Sequence, residues 1–434
     1  MASADKNIVI VGGGIIGCST AYFLTRHPSF DPKRHKITVL ESTKIAGGAS
    51  GKAGGLLALW AYPGELVPLS YRLHKELAEE HGGAKRWGYR AVHCGQVDCK
   101  GRHMGSNDTV KGKDHEMDGG DGTALNGDGA QTSDNRVSLQ KRSTAAMKKL
   151  RAAGVPDDLD WVDPDCLSSY DHMGDPSTTA QVHPYLFTTS MADLARDAGA
   201  DIKVGARVKS IKYNEKGDKV TGISYINKED GQTVELAASD VVVSAGPWTS
   251  KVYPSAPIAP LRAHSVTIKP TRLVSPYCLF TSIKLPAGFG QTDEARRSKR
   301  GKSEIVTPEI YARQTEIYAC GEGDRLVPLP ESTDLVEVDE KRCQDVVDYV
   351  CSISDELRDG EVTARQACYL PNVTRGPGHP MIGPTKIAGL WMCAGHTCWG
   401  IQNGPGSGKL MSEFVFDGAA KSANIKQMDP RLVL

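Results

Sequence analysis

Asn7-Ile-Val-Ile-Val-Gly-Gly-Gly-Ile-Ile-Gly-Cys-Ser-Thr-Ala-Tyr-Phe-Leu24, followed by Ile37-Thr-Val-Leu-Glu41, decides how this chain begins to fold. Residues 8–11 are a short apolar run of the kind that makes a buried strand. Gly12, Gly14 and Gly17 follow in G-x-G-x-x-G spacing, and the residues through Leu24 read as a helix. Gly12 permits the tight turn, Gly14 lets a pyrophosphate approach the backbone, and Gly17 lets helix and strand pack closely. At Ile15 and Ile16 the helix N-terminus offers N–H groups and a positive dipole end to phosphates. Residues 37–40 read as the second strand. Glu41 at its end, beside Ser42, is placed to accept hydrogen bonds from ribose hydroxyls. Strand, turn, helix, strand and acid together predict a dinucleotide-binding α/β unit of Rossmann type.

At 434 residues the chain is long enough for two domains with separate cores. Lys plus Arg and Asp plus Glu both number 52, so no global basic field points to nucleic acid. No apolar stretch approaches the roughly 18 residues that span a bilayer. The first six residues do not read as a secretory signal, and the last four are not a peroxisomal tail. Eleven cysteines without a C-x-x-C pair read as reduced intracellular thiols. His and Cys show no metal-ligand spacing. These features predict a soluble cytoplasmic protein without a metal site.

Residues 65–81 carry Leu66, Leu69, Leu73 and Leu77 at helical spacing. Residues 101–136 are rich in Gly, Asp and Asn and lack aromatics, which predicts a surface insertion. Helices are expected at 139–152, 186–198 and 344–357, and strands at 201–213, 220–226, 233–237 and 241–248. The composition of 251–360 suggests an antiparallel substrate-side sheet. Near the end, residues 389–396 read as a strand entering a glycine-rich turn, with a closing helix around 408–416.

Three further segments join the fingerprint: Gly47-Gly-Ala-Ser-Gly-Lys-Ala-Gly-Gly55, Val243-Ser-Ala-Gly-Pro-Trp248, and Ala394-Gly-His-Thr-Cys-Trp-Gly400 with Gly404-Pro-Gly-Ser-Gly-Lys409. Together they resemble the FAD-dependent amine oxidoreductases of the D-amino-acid oxidase, glycine oxidase and sarcosine oxidase (DAO) family, in a fungal-type branch. The resemblance covers most of the chain outside 101–136. It implies an α/β (α+β overall) fold, with a Rossmann-like FAD-binding domain and a discontinuous, mostly antiparallel β-sheet substrate domain. The FAD domain is expected from 1–85, 175–250 and 362–434, and the substrate domain from 86–174 and 251–361. By the same resemblance Ser50 and Gly51 would meet the pyrophosphate side, and Gly54, Gly55 and Leu56 the isoalloxazine ring. Val208 would hold the adenine, and Ala245, Gly246 and Trp248 would face the dinucleotide. Gly395, Trp399, Gly400, Ile401 and Gln402 would close over the ribityl chain and flavin, with Trp399 narrowing the pocket.

Departures from the family pattern bear on substrate binding. Gln402 stands where sarcosine-oxidase-like members carry a Lys for the substrate carboxylate. Residues 57–62 replace a partner Arg, and no equivalent of the oxygen-activating lysine is visible. Arg313, Arg325 and Arg365 are the candidates for a guanidinium clamp. The stretch from Tyr311 to Glu322 resembles the strand pair lining the substrate face. Cys368 is either a site of thioether linkage to FAD or an unmodified buried thiol. His264 and His396 lie nearest the expected flavin segments.

The expected chemistry is oxidation of a primary or secondary amine, amino-acid derived, by hydride transfer from Cα to flavin N5. O2 would be the acceptor, giving H2O2 and an imine that water hydrolyses. Such a site needs positioning, a dry pocket and no strong base. Three alternatives stay open. One is a flavin dehydrogenase with another acceptor, and another a nicotinamide dehydrogenase. The third is a non-catalytic flavoprotein in trafficking, with peripheral endosomal association implied by its fungal relatives.

Overall fold

The computed structural model describes residues 5–104, 154–290 and 303–434. The helix expected at 139–152, and all but the first four residues of the 101–136 insertion, lie outside them. The apolar run at the N-terminus forms strand Lys6–Val11, centred in a six-stranded sheet. His35–Leu40 and Asp201–Lys203 extend it on one side. Asp240–Val243, Leu390–Ala394 and Met381–Pro384 extend it on the other. All strands run parallel except Met381–Pro384.

Alternation within the first strand feeds two cores. Ile8 and Ile10 join Ile37, Val39 and Val242 beneath helices Ile15–Thr25, Pro184–Asp197 and Gly400–Asp417. Val9 and Val11 join Val241 and Val243 on the opposite face. A three-stranded antiparallel sheet, Ala206–Tyr213, Val220–Asn227 and Thr233–Ala237, closes that face. Burial on both sides explains the unbroken apolar run.

The strand expected over 201–213 is two strands. Gly205 adopts φ +73°, and this left-handed turn sends Asp201–Lys203 into the parallel sheet and Ala206–Tyr213 into the antiparallel one. The helix expected at 344–357 begins earlier, at Glu340. The Asp339 side chain accepts the Lys341 and Arg342 amides at 3.0 and 3.2 Å, a cap that apolar spacing alone does not register. It ends at Cys351, and Ser354 caps a separate short helix, Asp355–Arg358.

The second large sheet runs Glu361–Val373, Ile258–Lys269, Ile317–Cys320, Glu309–Ala312, Tyr277–Lys284, His93–Lys100 and Leu167–Gly174. It is antiparallel except where Tyr277–Lys284 lies parallel to His93–Lys100. Its back face packs on helix Glu340–Cys351 through Val266, Ile268, Ile310 and Val346.

Candidate functional site

A cleft of about 450 Å³ crosses the carboxyl ends of the parallel strands. Such a position at the ends of the strands is where open α/β sheets bind ligands. Gly12, Gly14, Ile15 and Ile16 line its middle, and Glu41, Ser42 and Val208 one end. Ser50, Ala245, Gly246 and Trp248 border it, and Gly395, Gly400 and Ile401 line the side built by the C-terminal segment.

The turn is built as its glycines require. Gly12 has φ +110°, and a Cβ there would stand 2.6 Å from the Ser244 carbonyl oxygen. Gly17 lies behind the cleft, its Cα against the Gly12 carbonyl, so it packs helix on strand. Glu41 accepts the amides of Gly13 and Thr43, each at 2.8 Å, and the Thr43 hydroxyl at 3.1 Å. A carboxylate has about four acceptor positions, so one stays open to a ribose hydroxyl. Ser50 Oγ accepts the Ile15 amide at 2.9 Å, holding loop 47–55 against the helix start while its own proton remains available to a phosphate oxygen.

Two long helices open on this cleft. Ile15–Thr25 and Gly400–Asp417 both begin on its wall, and neither has a side-chain cap from its own N-cap residue. Their positive dipole ends suit a pyrophosphate and an electron-rich ring edge. The closing helix begins at Gly400, well before the expected 408, despite four glycines and Pro405. Close packing explains it: a Cβ at Gly404 would stand 2.6 Å from Ile15 Cγ1, and one at Gly408 2.5 Å from the Ser19 backbone. Pro405 cannot donate to the Ile401 carbonyl, and His74 Nε2 does so instead at 3.0 Å. Ser70 donates to the Gln402 carbonyl at 2.6 Å and accepts the Gly406 amide at 2.9 Å.

Other expected residues stand behind the cleft wall or away from it. The Gly51 Cα abuts the Ala46 carbonyl, Gly55 the Val182 carbonyl, and Gly54 the Tyr311 ring. Leu56 packs with Cys278, Tyr311 and Tyr318. Trp399 meets Trp60 edge to face at 5.7 Å. Gln402 is buried, with Oε1 accepting the Ala58 amide at 2.8 Å and Nε2 without a partner. It tethers strand Leu56–Ala58 to the closing helix.

The arginines separate clearly. The Arg313 guanidinium donates to the Ala53 and Gly54 carbonyls and pairs with Glu316, so it fixes the glycine-rich loop. Arg365 lies on the far face of its strand, with Gln344 and Glu340 of the helix there, and so does not reach the cleft. Arg325 is exposed. His264 accepts the Asp339 amide at 3.1 Å, a structural role away from the cleft. His396 lines the cleft, bonded to Ser407 at 2.9 Å, and burial lowers its pKa to about 3, keeping it neutral. Cys368 is buried, and burial pushes its thiol up to about 11.

Sequence reading did not single out residues 331–333, which also line the cleft. The Trp248 indole holds this segment through the Pro330 carbonyl at 2.7 Å. It carries no motif, and only the fold delivers it there. Lys52 was legible within the glycine-rich loop, yet its contact was not. Nζ donates to the Ala367 carbonyl at 2.8 Å, and burial lowers its pKa.

An FAD molecule fits these donors. Its phosphates would meet Gly14 and Ser50, its ribose Glu41, and its flavin end the Gly395–Gly400 side. The cleft's involvement of the C-terminal helix is what an extended flavin dinucleotide needs.

The model of the DAO family, described as FAD-dependent oxidoreductase, matches residues 7–414. TDA3 of Saccharomyces cerevisiae, named as a candidate oxidoreductase, is 36% identical over 516 residues, covering 99% of this chain and 95% of that protein. Among solved structures, glycine oxidase from Bacillus cereus aligns with TM-score 0.62 and 18% identity over 96% of this chain and 99% of its own. Iminodiacetate oxidase from Chelativorans aligns with TM-score 0.62 and 17% identity over 98% and 99%. These structural likenesses describe a shared fold.

Proposed function

The chain belongs to the DAO family of FAD-dependent oxidoreductases, and from that premise we propose that it oxidises a primary or secondary amine to an imine, with O2 as acceptor. One observation carries the reading. Ala53 lines the cleft that suits FAD, and the next residue, Gly54, lies against Tyr311 and Tyr318 on one face of the second sheet. The glycine and iminodiacetate oxidases, both acting on amines, share this fold.

The chemistry supplied by bound FAD is acceptance of a hydride from the Cα–H of the amine, its two electrons passing to O2 as H2O2. This chain's residues do the rest. Ser50 and Gly14 would seat the phosphates, and Glu41 the ribose. Arg313 and Gln402 position loop 53–58, and the aromatic side chains beyond it exclude water and orient the amine. His396, neutral and bonded to Ser407, adds a fixed dipole without a charge.

We read the FAD as non-covalent, since a thioether needs a thiolate and burial holds the Cys368 thiol protonated. The strands around Lys6–Val11 come from 6–40, 201–243 and 381–394, which supports one discontinuous FAD domain. Among the described residues no helix is long and apolar enough to cross a membrane. The eleven unpaired cysteines support a reducing, cytoplasmic setting.

Anaerobic titration of the flavin band with D-, L- and N-methyl amino acids and simple amines tests the reading. Bleaching by an amine is the expected result. A band that none of them bleaches overturns it.

A further inference from the structure

Register says which residues of the second sheet look toward the cleft. Glu309 pairs with Cys320 and Phe280, and Tyr311 with Tyr318 and Cys278. Side chains alternate along a strand and match across a pair, so these residues share one face. Their neighbours Ile310, Ala312, Ile317, Ala319 and Leu279 enter the core on the other side. Tyr311 and Tyr318 meet Gly54, which fixes the first face as the one turned toward the glycine-rich loop.

Glu309 is the carboxylate of that group. It is part-buried, accepts the Tyr311 hydroxyl, and has Cys320 Sγ at 4.0 Å. Among the described residues no Lys, Arg or His forms an ion pair with it. Burial raises its carboxyl above the ordinary range, with the Tyr311 hydroxyl acting against that. The nearby cations are engaged elsewhere: Arg313 with the Ala53 and Gly54 carbonyls and Glu316, Arg90 with the Ala312 carbonyl, Lys52 with the Ala367 carbonyl. A part-buried carboxylate without a counter-ion is costly, and an arriving cation relieves that cost.

Aromatic rings lead from solvent to this acid. Trp60 is 38% exposed and meets Trp399 and Phe280 edge-on, with centroids 5.7 and 5.9 Å apart. Phe280 meets Tyr311 at 6.1 Å, and Tyr311 stacks on Tyr318 at 5.9 Å. Ring faces attract organic cations, and a carboxylate at the end of such a wall adds the opposite charge. Among the described residues, a substrate carboxylate would meet Glu309 here, while the guanidinium groups of Arg90 and Arg313 are already engaged.

We propose that the site selects amines that lack a carboxylate and enter as organic cations, such as diamines and aralkylamines. Trp60, Phe280, Tyr311 and Trp399 form the wall, and Glu309 is the counter-ion. The inference rests on the amine-oxidising reading for its chemistry, while the recognition can be measured without turnover.

The test titrates the FAD-loaded protein with benzyltrimethylammonium, which has no N–H, following tryptophan fluorescence and the visible flavin band. Glycine, N-methylglycine and 1,4-diaminobutane are then added as competitors. The quaternary cation is expected to bind and 1,4-diaminobutane to displace it, whereas the two amino acids leave it bound. Glu309→Gln should weaken cation binding by about tenfold or more, with the unfolding temperature unchanged. Should that variant fail to fold, Trp60→Ala must weaken binding several-fold, and equal affinity there overturns the proposal. Displacement by glycine or N-methylglycine, or undiminished binding in Glu309→Gln, also overturns it. Bleaching by an amino acid alone would sink this proposal and leave amine oxidation standing. Glu309-dependent cation binding with a flavin that no amine bleaches would do the reverse.

Discussion

His74 Nε2 donates to the Ile401 carbonyl at 3.0 Å, taking the place of the helical amide that Pro405 lacks. The two residues are far apart in sequence, and their bond joins helix Val67–His81 to the first turn of the helix that opens on the cleft. Replacing His74 with Ala leaves that carbonyl buried and unpaired and opens a small cavity. The expected loss is about 2–3 kcal/mol, read as a lower urea midpoint. Flavin retention should fall with it, because Gly400 and Ile401 line the cleft. Unchanged midpoint and flavin content would show that the proline-containing turn holds itself.

The same histidine sets a pH dependence. Burial lowers its pKa to about 4, against an ordinary value of 6.5. The unfolded chain therefore takes up a proton that the folded one refuses. Stability from this group is complete above about pH 6.5 and is lost as pH falls toward 4, by about 3 kcal/mol. His396, lowered to about 3 by burial, extends the loss to lower pH. Urea midpoints measured from pH 7 to 4 should fall in wild type and fall less steeply in His74→Leu. Parallel profiles would remove His74 as the titrating group.

Arg313 governs the loop beneath the second sheet. Burial works against ionised Glu316, yet bonding to His183 and Arg313 holds its carboxyl at about 2. Arg313→Met strands that carboxylate and two loop carbonyls, at a cost of about 3 kcal/mol. Combining it with Glu316→Gln should recover part of the loss, a positive coupling that denaturant midpoints resolve. Arg313→Lys should rescue little, since one ammonium cannot span two carbonyls and a carboxylate as the guanidinium fork does. Simple additivity in the double variant would mean that the two side chains act independently.

Residues 7–41 were legible because every signal there is local: apolar run, glycine spacing, helix, strand, acid. The closing helix was legible only from 408 onward, because Gly400, Gly404, Gly406 and Pro405 all oppose helix by propensity. Its first turns exist through contacts with Ile15, Ser19, Ser70 and His74, distant in sequence. Tyr311 was found through the strand pair it belongs to, whereas Glu309, two residues earlier, carried no signal of its own. Its meaning comes from the register that places it beside Phe280 and Cys320. Residue type made Arg313 and Arg365 equal candidates for a carboxylate clamp, and only sheet parity tells them apart.

That parity makes the last prediction. Arg365 pairs in register with Val266, whose side chain enters the core under helix Glu340–Cys351. Its guanidinium accordingly reaches Gln344 at 2.5 Å and Glu340 at 3.6 Å. Gln366, one residue on, turns to the opposite face and donates to Ser265 Oγ at 3.1 Å and to the Lys52 carbonyl at 3.4 Å. A partly exposed ion pair of this kind contributes about 0–1 kcal/mol. Arg365→Ala should therefore leave flavin content and amine affinity within about twofold of wild type and stability within about 1 kcal/mol. Gln366→Ala, by contrast, removes a contact to the glycine-rich loop and should lower flavin affinity, measured by fluorescence on reconstitution of the apoprotein. If Arg365→Ala proved the more damaging to flavin or amine binding, the strand would have to present its other face to the cleft. The placement of Glu309 and Tyr311 would then need revision along with it.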